Sequence, residues 1–231
     1  MSKEIAEIRE VEIEFSGVTR ALHWIRAASI VALTITGFYI ALVFAAPAVS
    51  GEPNLFLNAR MRMWHEIFGF VLIALTIFKI YYFFVSSDKA EKLERKSFKD
   101  ALSPKIWIAQ IKYYLLIGKH PHLRGAYNPL QFVTYSALYV AFLLLCLTGL
   151  ILYVHVYHEG LGGALYAAMR SFEVLFGGLA NVRVIHHILM WVVLIFLPVH
   201  VYMVVFNSIR GKEGALDSIL SGIKFKKKHS S

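Results

Sequence analysis

The fold is decided by the stretch RVIHHILMWVVLIFLPVH at Arg183–His200. From Ile188 to Val199 it carries no charged side chain. A bilayer is spanned by about 20 apolar residues, and lipid requires every backbone polar group to bond within the segment, so the stretch predicts a transmembrane helix. Three further stretches of the chain are similarly long and apolar. The four stretches together predict an all-α integral membrane protein, a four-helix transmembrane bundle. The four predicted helices lie at about residues 24–46, 64–85, 132–157 and 184–208.

The composition separates this chain from soluble globular enzymes. Of its 231 residues, 58% are hydrophobic and 17% are charged, whereas about a quarter of the residues in a soluble domain are charged. We expect one transmembrane domain over residues 1–231, since the sequence shows no repeat or linker. The one cysteine, Cys146, lies in an apolar run, which excludes a disulfide framework, an iron–sulfur cluster of its own and a covalently attached haem.

The cations predict the orientation in the membrane. All but four of the 24 lysines and arginines lie in the N-terminal segment, around the loop between the second and third helices, or in the C-terminal tail. The four on the other side are Arg60, Arg62, Arg170 and Arg183. Positive charge stays on the cytoplasmic side, so we expect both termini in the cytoplasm of a bacterium and the helices in its inner membrane. Topology therefore accounts for the net charge of +9, and we predict no nucleic-acid partner.

Two shorter segments are typical of helices that lie on a membrane surface. The segment PKIWIAQIKYYLLIG at Pro104–Gly118 mixes aromatic and aliphatic residues with two lysines, which predicts an interfacial helix on the cytoplasmic face. On the outer side, Leu161–Ala180 has apolar residues at helical spacing together with Arg170 and Glu173. We expect it to rest on the interface or to contact a partner.

Histidines at particular depths carry the chemistry, because a polar ring inside a membrane bundle is costly. His186 and His200 are 14 residues apart in the fourth helix. At 3.6 residues per turn the rotation between them is about 1,400°, about 40° short of four turns, and the rise is about 21 Å. Both rings therefore project from nearly one face, one in each half of the bilayer. His187 would project from the opposite face to His200, so His186 is the better partner.

Each half of the membrane holds a second imidazole at a matching depth. His65 shares the outer half with His186, and His23 shares the inner half with His200. Neutral imidazole is a good axial ligand of haem iron, and two imidazoles clamp the flat macrocycle between helices. Taken singly, each histidine is equally well explained as a hydrogen-bonded packing residue. Zinc is disfavoured, because its sites need three or four clustered ligands.

Four segments carry a family resemblance: RALHWIRAASIVALTITG at Arg20–Gly37, RMWHEIFGF at Arg62–Phe70, the stretch at Arg183–His200, and HVYM at His200–Met203. They resemble the b-type cytochrome subunit of membrane-bound nickel–iron hydrogenases, over about residues 15–225. The membrane subunit of formate dehydrogenase is similar. The resemblance implies two haems b, the outer one held by His65 and His186 and the inner one by His23 and His200.

The resemblance also implies partners and an electron acceptor. The partners are a large subunit with the nickel–iron site and a small subunit with iron–sulfur clusters, both on the outer face. The acceptor is a quinone, menaquinone or ubiquinone, near the inner haem. Asn128 and Gln131 offer amide groups for a quinone carbonyl, and His122 is a candidate proton relay. An Asn-Pro pair also starts turns and helices, which is the competing explanation of Asn128.

Three functions remain open from the sequence. The first is a dihaem electron-transfer subunit of a hydrogen:quinone oxidoreductase, with hydrogen activated on the partner. The second is the cytochrome b subunit of another quinone-linked dehydrogenase, such as formate dehydrogenase, or a stand-alone dihaem quinone oxidoreductase. The third is a structural anchor without haem. His155 and His158 have no partner across the bundle in this scheme. The candidates for pairing with haem propionates are Arg62 and Arg183 on the outer side and Arg20, Arg26 and Arg210 on the inner side, and topology alone is a sufficient explanation of each.

Overall fold

The computed structural model describes residues 9–13, 15–42, 56–118, 121–211 and 215–227. Within them four helices are long: α1 (Gly17–Leu42), α2 (Leu57–Val85), α5 (Pro129–Val154) and α7 (Leu179–Gly211). Four shorter helices and two strands complete the description: α3 (Lys89–Ala101), α4 (Pro104–Tyr114), α6 (Gly160–Leu175), α8 (Ala215–Ser221), β1 (Arg9–Ile13) and β2 (Ile223–Lys227).

The four long helices are those predicted, and each is long and apolar enough to cross a membrane. The prediction of a helical, multi-pass membrane protein is confirmed. Each helix begins earlier than predicted. The polar residues that precede each apolar run are also helical, because they continue the backbone hydrogen-bond ladder outside the lipid. The third predicted helix, α5, ends at Val154 rather than at residue 157. Just after this end, the N–H groups of Val156 and Tyr157 both donate to the carbonyl of Tyr153. Residues 43–46 of the first predicted helix lie outside the described residues.

The two helices predicted on the membrane surface end at other residues than predicted. α4 fills the first part of the predicted segment 104–118, and α6 ends at Leu175 rather than at Ala180. Gly177 and Gly178 follow α6 with φ angles of 81° and 99°, a backbone conformation that glycine adopts at little cost, so the helix cannot continue through them. α7 begins directly afterwards. α3 was not predicted from the sequence, because its strongly charged residues carry no membrane signal.

A two-stranded antiparallel sheet is an addition to the all-α prediction. β1 pairs with β2 in a register that places Arg9 opposite Lys227 and Ile13 opposite Ile223. The register also sets Glu10 opposite Lys226. The sheet joins segments more than 200 residues apart in sequence, which no local pattern predicts.

The chain groups into two compact units. Unit 1 comprises Met1–His23, Tyr82–Val133 and Ile195–Ser231. In it, a carboxylate oxygen of Asp100 on α3 accepts the backbone N–H groups of Arg124 and Gly125, at 2.7 and 2.9 Å. These bonds fasten the segment that leads into α5 onto α3.

Unit 2 comprises Trp24–Tyr81 and Thr134–Leu194, and it is a bundle of parts of the four long helices together with α6. Ile151 and Val154 of α5, Met169 of α6 and Val182 of α7 form a buried cluster at one end. Phe70 of α2 meets Tyr153 edge-on, with ring centroids 5.1 Å apart. Because these contacts cross between helices, they fix the helix faces that carry the site.

Candidate cofactor site

His65 on α2 faces α1 in unit 2, and its ring is held by a threonine. Nδ1 of His65 lies 2.9 Å from Oγ1 of Thr36. The same hydroxyl donates to the carbonyl of Ala32 at 2.7 Å, one turn back in α1. The next residue is Gly37, where a Cβ atom would stand 3.2 Å from Cε1 of His65, tighter than ordinary contact. A threonine and a glycine in sequence thus form a seat for this imidazole.

His186 on α7 is held in the same way by α5. Nδ1 of His186 lies 2.8 Å from Oγ1 of Thr148, and that hydroxyl donates to the carbonyl of Leu144 at 2.8 Å. Gly149 follows, and a Cβ atom there would be 3.6 Å from Cε1 of His186. His65 and His186 thus both lie in unit 2, each with Nδ1 against a buried threonine of another long helix. They are the pair that the sequence predicts for the outer half, and their joint ligation of one haem stays a prediction.

The neighbouring His187 is placed differently. Its side chain is exposed, and its Nδ1 lies 3.3 Å from the carbonyl of Arg183 in its own helix. His186 is half-buried and bonded across the bundle. His186, which helical geometry prefers, is thus the ring that is bonded across the bundle, and its role as the ligand stays a prediction.

His23 on α1 and His200 on α7 form the second pair, in unit 1. Their ring centroids are 6.4 Å apart and the rings are tilted by 44°. A bond from a metal to an imidazole nitrogen is about 2.0 Å, so two rings that clamp one ion have centroids about 6 Å apart. Phe196, one turn before His200, stacks on its ring with centroids 5.4 Å apart. The separation fits two axial ligands of one iron, and the stacking fixes one of the rings.

The described residues contain no group of three or more histidine, cysteine, aspartate or glutamate side chains that would hold a bare metal ion. Two histidines alone suit an iron whose other ligands come from a macrocycle. Haem also brings propionates, which need cationic partners. Among the described residues, no acceptor contacts the buried Nε of Arg20 or the buried Nε and Nη2 of Arg26. The residues present therefore fit haem.

The sequence profile of the prokaryotic cytochrome b561 family matches residues 14–222. The chain belongs to the prokaryotic cytochrome b561 family. The expected resemblance to hydrogenase cytochromes is confirmed, and the cofactor of such a b-type cytochrome is haem b.

Several curated relatives have similar sequences. The probable Ni/Fe-hydrogenase B-type cytochrome subunit of Azotobacter vinelandii is 30% identical over 88% of this chain and 84% of its own. The subunit of the same name from Rhizobium leguminosarum bv. viciae is 28% identical, over 90% and 86%. The probable Ni/Fe-hydrogenase 1 B-type cytochrome subunit of Escherichia coli (strain K12) is 25% identical, over 91% and 89%.

The predicted quinone residues of this cytochrome lie where α5 begins, in unit 1. The backbone N–H of Asn128 donates to Oε1 of Gln131 at 3.2 Å, and the N–H of Gln131 donates to Oδ1 of Asn128 at 2.9 Å. This reciprocal pair is a capping box, and Pro129 occupies the first helical position. Asn128 therefore caps α5, as the competing explanation of the Asn-Pro pair expects. A role of Asn128 and Gln131 in quinone binding stays a prediction.

Asn128 also joins α5 to α4. Its Nδ2 donates to the hydroxyl of Tyr114 at 3.0 Å, and the Asn128 side chain is buried. Burial raises the pKa of Tyr114, and the hydrogen bond from Asn128 opposes part of that rise. The phenol is therefore protonated at neutral pH and has a hydrogen to donate. His122 is exposed in the segment before α5.

Other cytochrome residues have partners that sequence reasoning missed. His155 is bonded to Glu173 of α6, and the ring of His158 meets Tyr166 edge-on at 6.0 Å. Thr36 and Thr148 were not predicted either. Their one sequence signal is a Thr-Gly pair, repeated at 36–37 and 148–149 within two long apolar runs.

Proposed function

We propose that this cytochrome is the dihaem membrane subunit of a nickel–iron hydrogenase, which anchors the complex and passes its electrons to quinone. The single observation that carries the proposal is that His23 and His200, on two long helices, have ring centroids 6.4 Å apart, the separation expected of two ligands of one iron. The relatives point to the hydrogenase, since their names associate proteins of this sequence type with Ni/Fe hydrogenases.

We assign one haem b to each histidine pair. Haem b, when bound, supplies a one-electron couple whose potential depends on its axial ligands and on the hydrogen bonds that those ligands make. His65 and His186 would hold one haem, and His23 and His200 the other. The chain's residues orient the imidazoles, exclude water and neutralise propionate charge. Arg26 suits the last task, because its Nη1 is already fixed by the hydroxyl of Tyr139 at 2.9 Å.

The chain contains one cysteine, so hydrogen activation and iron–sulfur transfer belong to partner subunits. The cation distribution predicts that both termini of this chain lie in the cytoplasm. The resemblance to hydrogenase cytochromes implies that the partners lie on the outer side of the bacterial inner membrane. Hydrogen oxidised outside would leave its protons there, and quinone reduced near the inner pair would take protons from the cytoplasm. Each electron that crosses stores about 2.3 kcal/mol per 100 mV without any proton pump.

The quinone is proposed to bind beside the start of α5, with Asn128, Gln131 and His122 as contact residues. The capping box fixes the two amide side chains against α5 and leaves Nε2 of Gln131 outside both of its bonds. A fixed amide is a better hydrogen-bond donor to a carbonyl than a mobile one, since little conformational freedom is lost on binding.

The experiment is a hydrogen-reduced minus oxidised spectrum of the detergent-solubilised complex, with haem measured per chain. We expect two haems b per chain, both reduced by hydrogen, and one haem in His186→Ala. His187→Ala is the matched control and should keep both. Haem that is reduced by dithionite but not by hydrogen would assign the cytochrome to another dehydrogenase. A colourless chain would overturn the proposal in favour of a structural anchor.

A further inference from the structure

We propose that Thr36 and Thr148 are positioning residues that lock the tautomer of His65 and His186 and lower the potential of the haem between them. The inference rests on the proposed function, which assigns a haem to this histidine pair. Neither threonine touches the reacting atoms. Each acts through the imidazole that it holds.

The hydrogen-bond inventory of each hydroxyl decides the tautomer. A hydroxyl has one hydrogen and two lone pairs. The hydroxyl of Thr36 lies 2.7 Å from the carbonyl of Ala32 and 3.3 Å from that of Leu33, both of which only accept. Its one hydrogen is therefore used on the α1 backbone. The contact with Nδ1 of His65 is then satisfied only if Nδ1 carries the proton and donates.

The same reasoning applies to Thr148. Its hydroxyl lies 2.8 Å from the carbonyl of Leu144 and 3.1 Å from that of Leu145, so its hydrogen too is used on its own helix. Nδ1 of His186, 2.8 Å away, must be the donor. Because each neutral ring has one proton, Nε2 keeps its lone pair in both rings. Two acceptors on two helices thus prepare two rings as iron ligands through Nε2.

Burial makes these bonds effective. Thr36 is 6% exposed and Thr148 is 0% exposed, so water does not compete for either hydroxyl. Thr34 provides the contrast within α1. Its hydroxyl donates to the carbonyl of Ile30 at 2.7 Å, like that of Thr36, but the described contacts of this hydroxyl include no histidine. The backbone bond is therefore common to membrane threonines, and the histidine contact is the distinguishing feature.

The redox consequence follows from the direction of the bond. An imidazole that donates from Nδ1 is a stronger electron donor through Nε2, because the acceptor draws the proton away from the ring. A stronger donor stabilises oxidised iron relative to reduced iron, which lowers the reduction potential. Both rings of this pair carry the same bond, so the two effects act on one haem in the same sense.

The test removes each hydroxyl while keeping the side-chain shape. Thr36→Val, Thr148→Val and the double variant are compared with Thr36→Ser and Thr148→Ser, which restore a hydroxyl, and with Thr34→Val as the matched control. The readouts on the purified complex are haem per chain, the midpoint potential of each haem by optical titration, and the low-spin electron paramagnetic resonance signal of the oxidised form. None of these depends on turnover.

We expect each valine variant to raise the midpoint potential of the haem that is lost in His186→Ala, or to release that haem selectively. The double variant should exceed either single one, the serine variants should return to the wild-type potential, and Thr34→Val should not differ from it. The haem of His23 and His200, unchanged throughout, reports that the chain has folded.

Two results are kept apart by this design. Unchanged potentials and resonance signals in both valine variants, or serine variants that behave like valine, would overturn the role of the hydroxyls while leaving the haem assignment intact. Retention of two haems by both His65→Ala and His186→Ala would instead overturn the ligand assignment on which the inference rests.

Discussion

Nε2 of His155 lies 2.6 Å from Oε2 of Glu173, so the residue that follows α5 is joined to α6. The Glu173 side chain is buried, and Nη1 of Arg170 donates to the same oxygen at 2.7 Å. Hydrogen bonds to a carboxylate favour its charged form. The pKa of Glu173 is accordingly lowered, chiefly by the hydrogen bond from His155 and further by Arg170, against the opposing effect of burial.

We expect this carboxylate to make the stability of the cytochrome depend on pH in the acid range. A carboxyl whose pKa is lower in the folded chain contributes its full stabilisation above the unfolded value of 4.5 and loses it as pH falls through the lowered pKa. Glu173→Gln should therefore lower the melting temperature of the solubilised complex at pH 7. Its difference from wild type should shrink below pH 4.5.

Tryptophan fluorescence during heating measures both effects. Glu159→Gln is the control, because Glu159 is exposed and its side chain makes no capping hydrogen bond to α6. It should melt like wild type at every pH. A Glu173→Gln difference that stays constant from pH 7 into the acid range would contradict the linkage.

The pairing of the histidines predicts non-additive haem loss. His23→Ala and His200→Ala should each remove the same haem, so their double variant should retain one haem per chain. His23→Ala combined with His186→Ala should retain none, because it breaks both pairs. Pyridine haemochrome spectra measure the ratio. Two haem equivalents lost in the His23/His200 double variant would falsify the pairing.

The glycines beside the two imidazoles, Gly37 and Gly149, should differ in how well they tolerate substitution by alanine. Gly37→Ala would place Cβ 3.2 Å from His65, so we expect a weakened haem and a shifted spectrum. Gly149→Ala, at 3.6 Å from His186, should be milder. Gly69→Ala is the control, since a Cβ atom there would have no atom of the described residues within 4 Å apart from its chain neighbours and its own helix backbone. It should raise helix stability by up to about 1 kcal/mol, because alanine loses less conformational freedom in a helix. Equal haem content and equal spectra in all three would refute the seats.

The start of α5 allows capping and quinone binding to be separated. Asn128→Ala should cost about 1 kcal/mol of stability through the lost cap. Asn128→Ser keeps a capping oxygen but removes the amide, so it should melt near wild type and raise the KM for quinone several-fold. Tyr114→Phe removes the hydroxyl that Asn128 contacts and controls for that bond. Wild-type quinone kinetics in Asn128→Ser would remove Asn128 from the quinone site.

The sequence predicts the long helices well because lipid imposes a single solution on an apolar run of that length. It does not predict their ends, which are set outside the lipid by local features such as the Asn128 cap and the turn at Gly177. α3 was missed because a strongly charged helix resembles a loop in composition. The pairing of β1 with β2 depends on which distant segments meet.

The site was predictable to the extent that polarity is expensive in a membrane. His186 and His200 stand out because they project from nearly one face of a helix, one in each half of the membrane. Thr36 and Thr148 do not, since a membrane threonine can satisfy its hydroxyl on its own helix and needs no partner. Their second contact exists only once another helix is packed against them, which a single sequence does not state.

The ladder between Arg9–Ile13 and Ile223–Lys227 has a consequence for topology that is independent of charge. Two strands can exchange backbone hydrogen bonds only if they are on the same side of the bilayer. A chain that leaves β1 and returns to β2 must therefore cross the membrane an even number of times. The pairing of these ten residues thus requires an even number of membrane crossings. An insertion or deletion that removed one span would have to break the hydrogen bonds between β1 and β2.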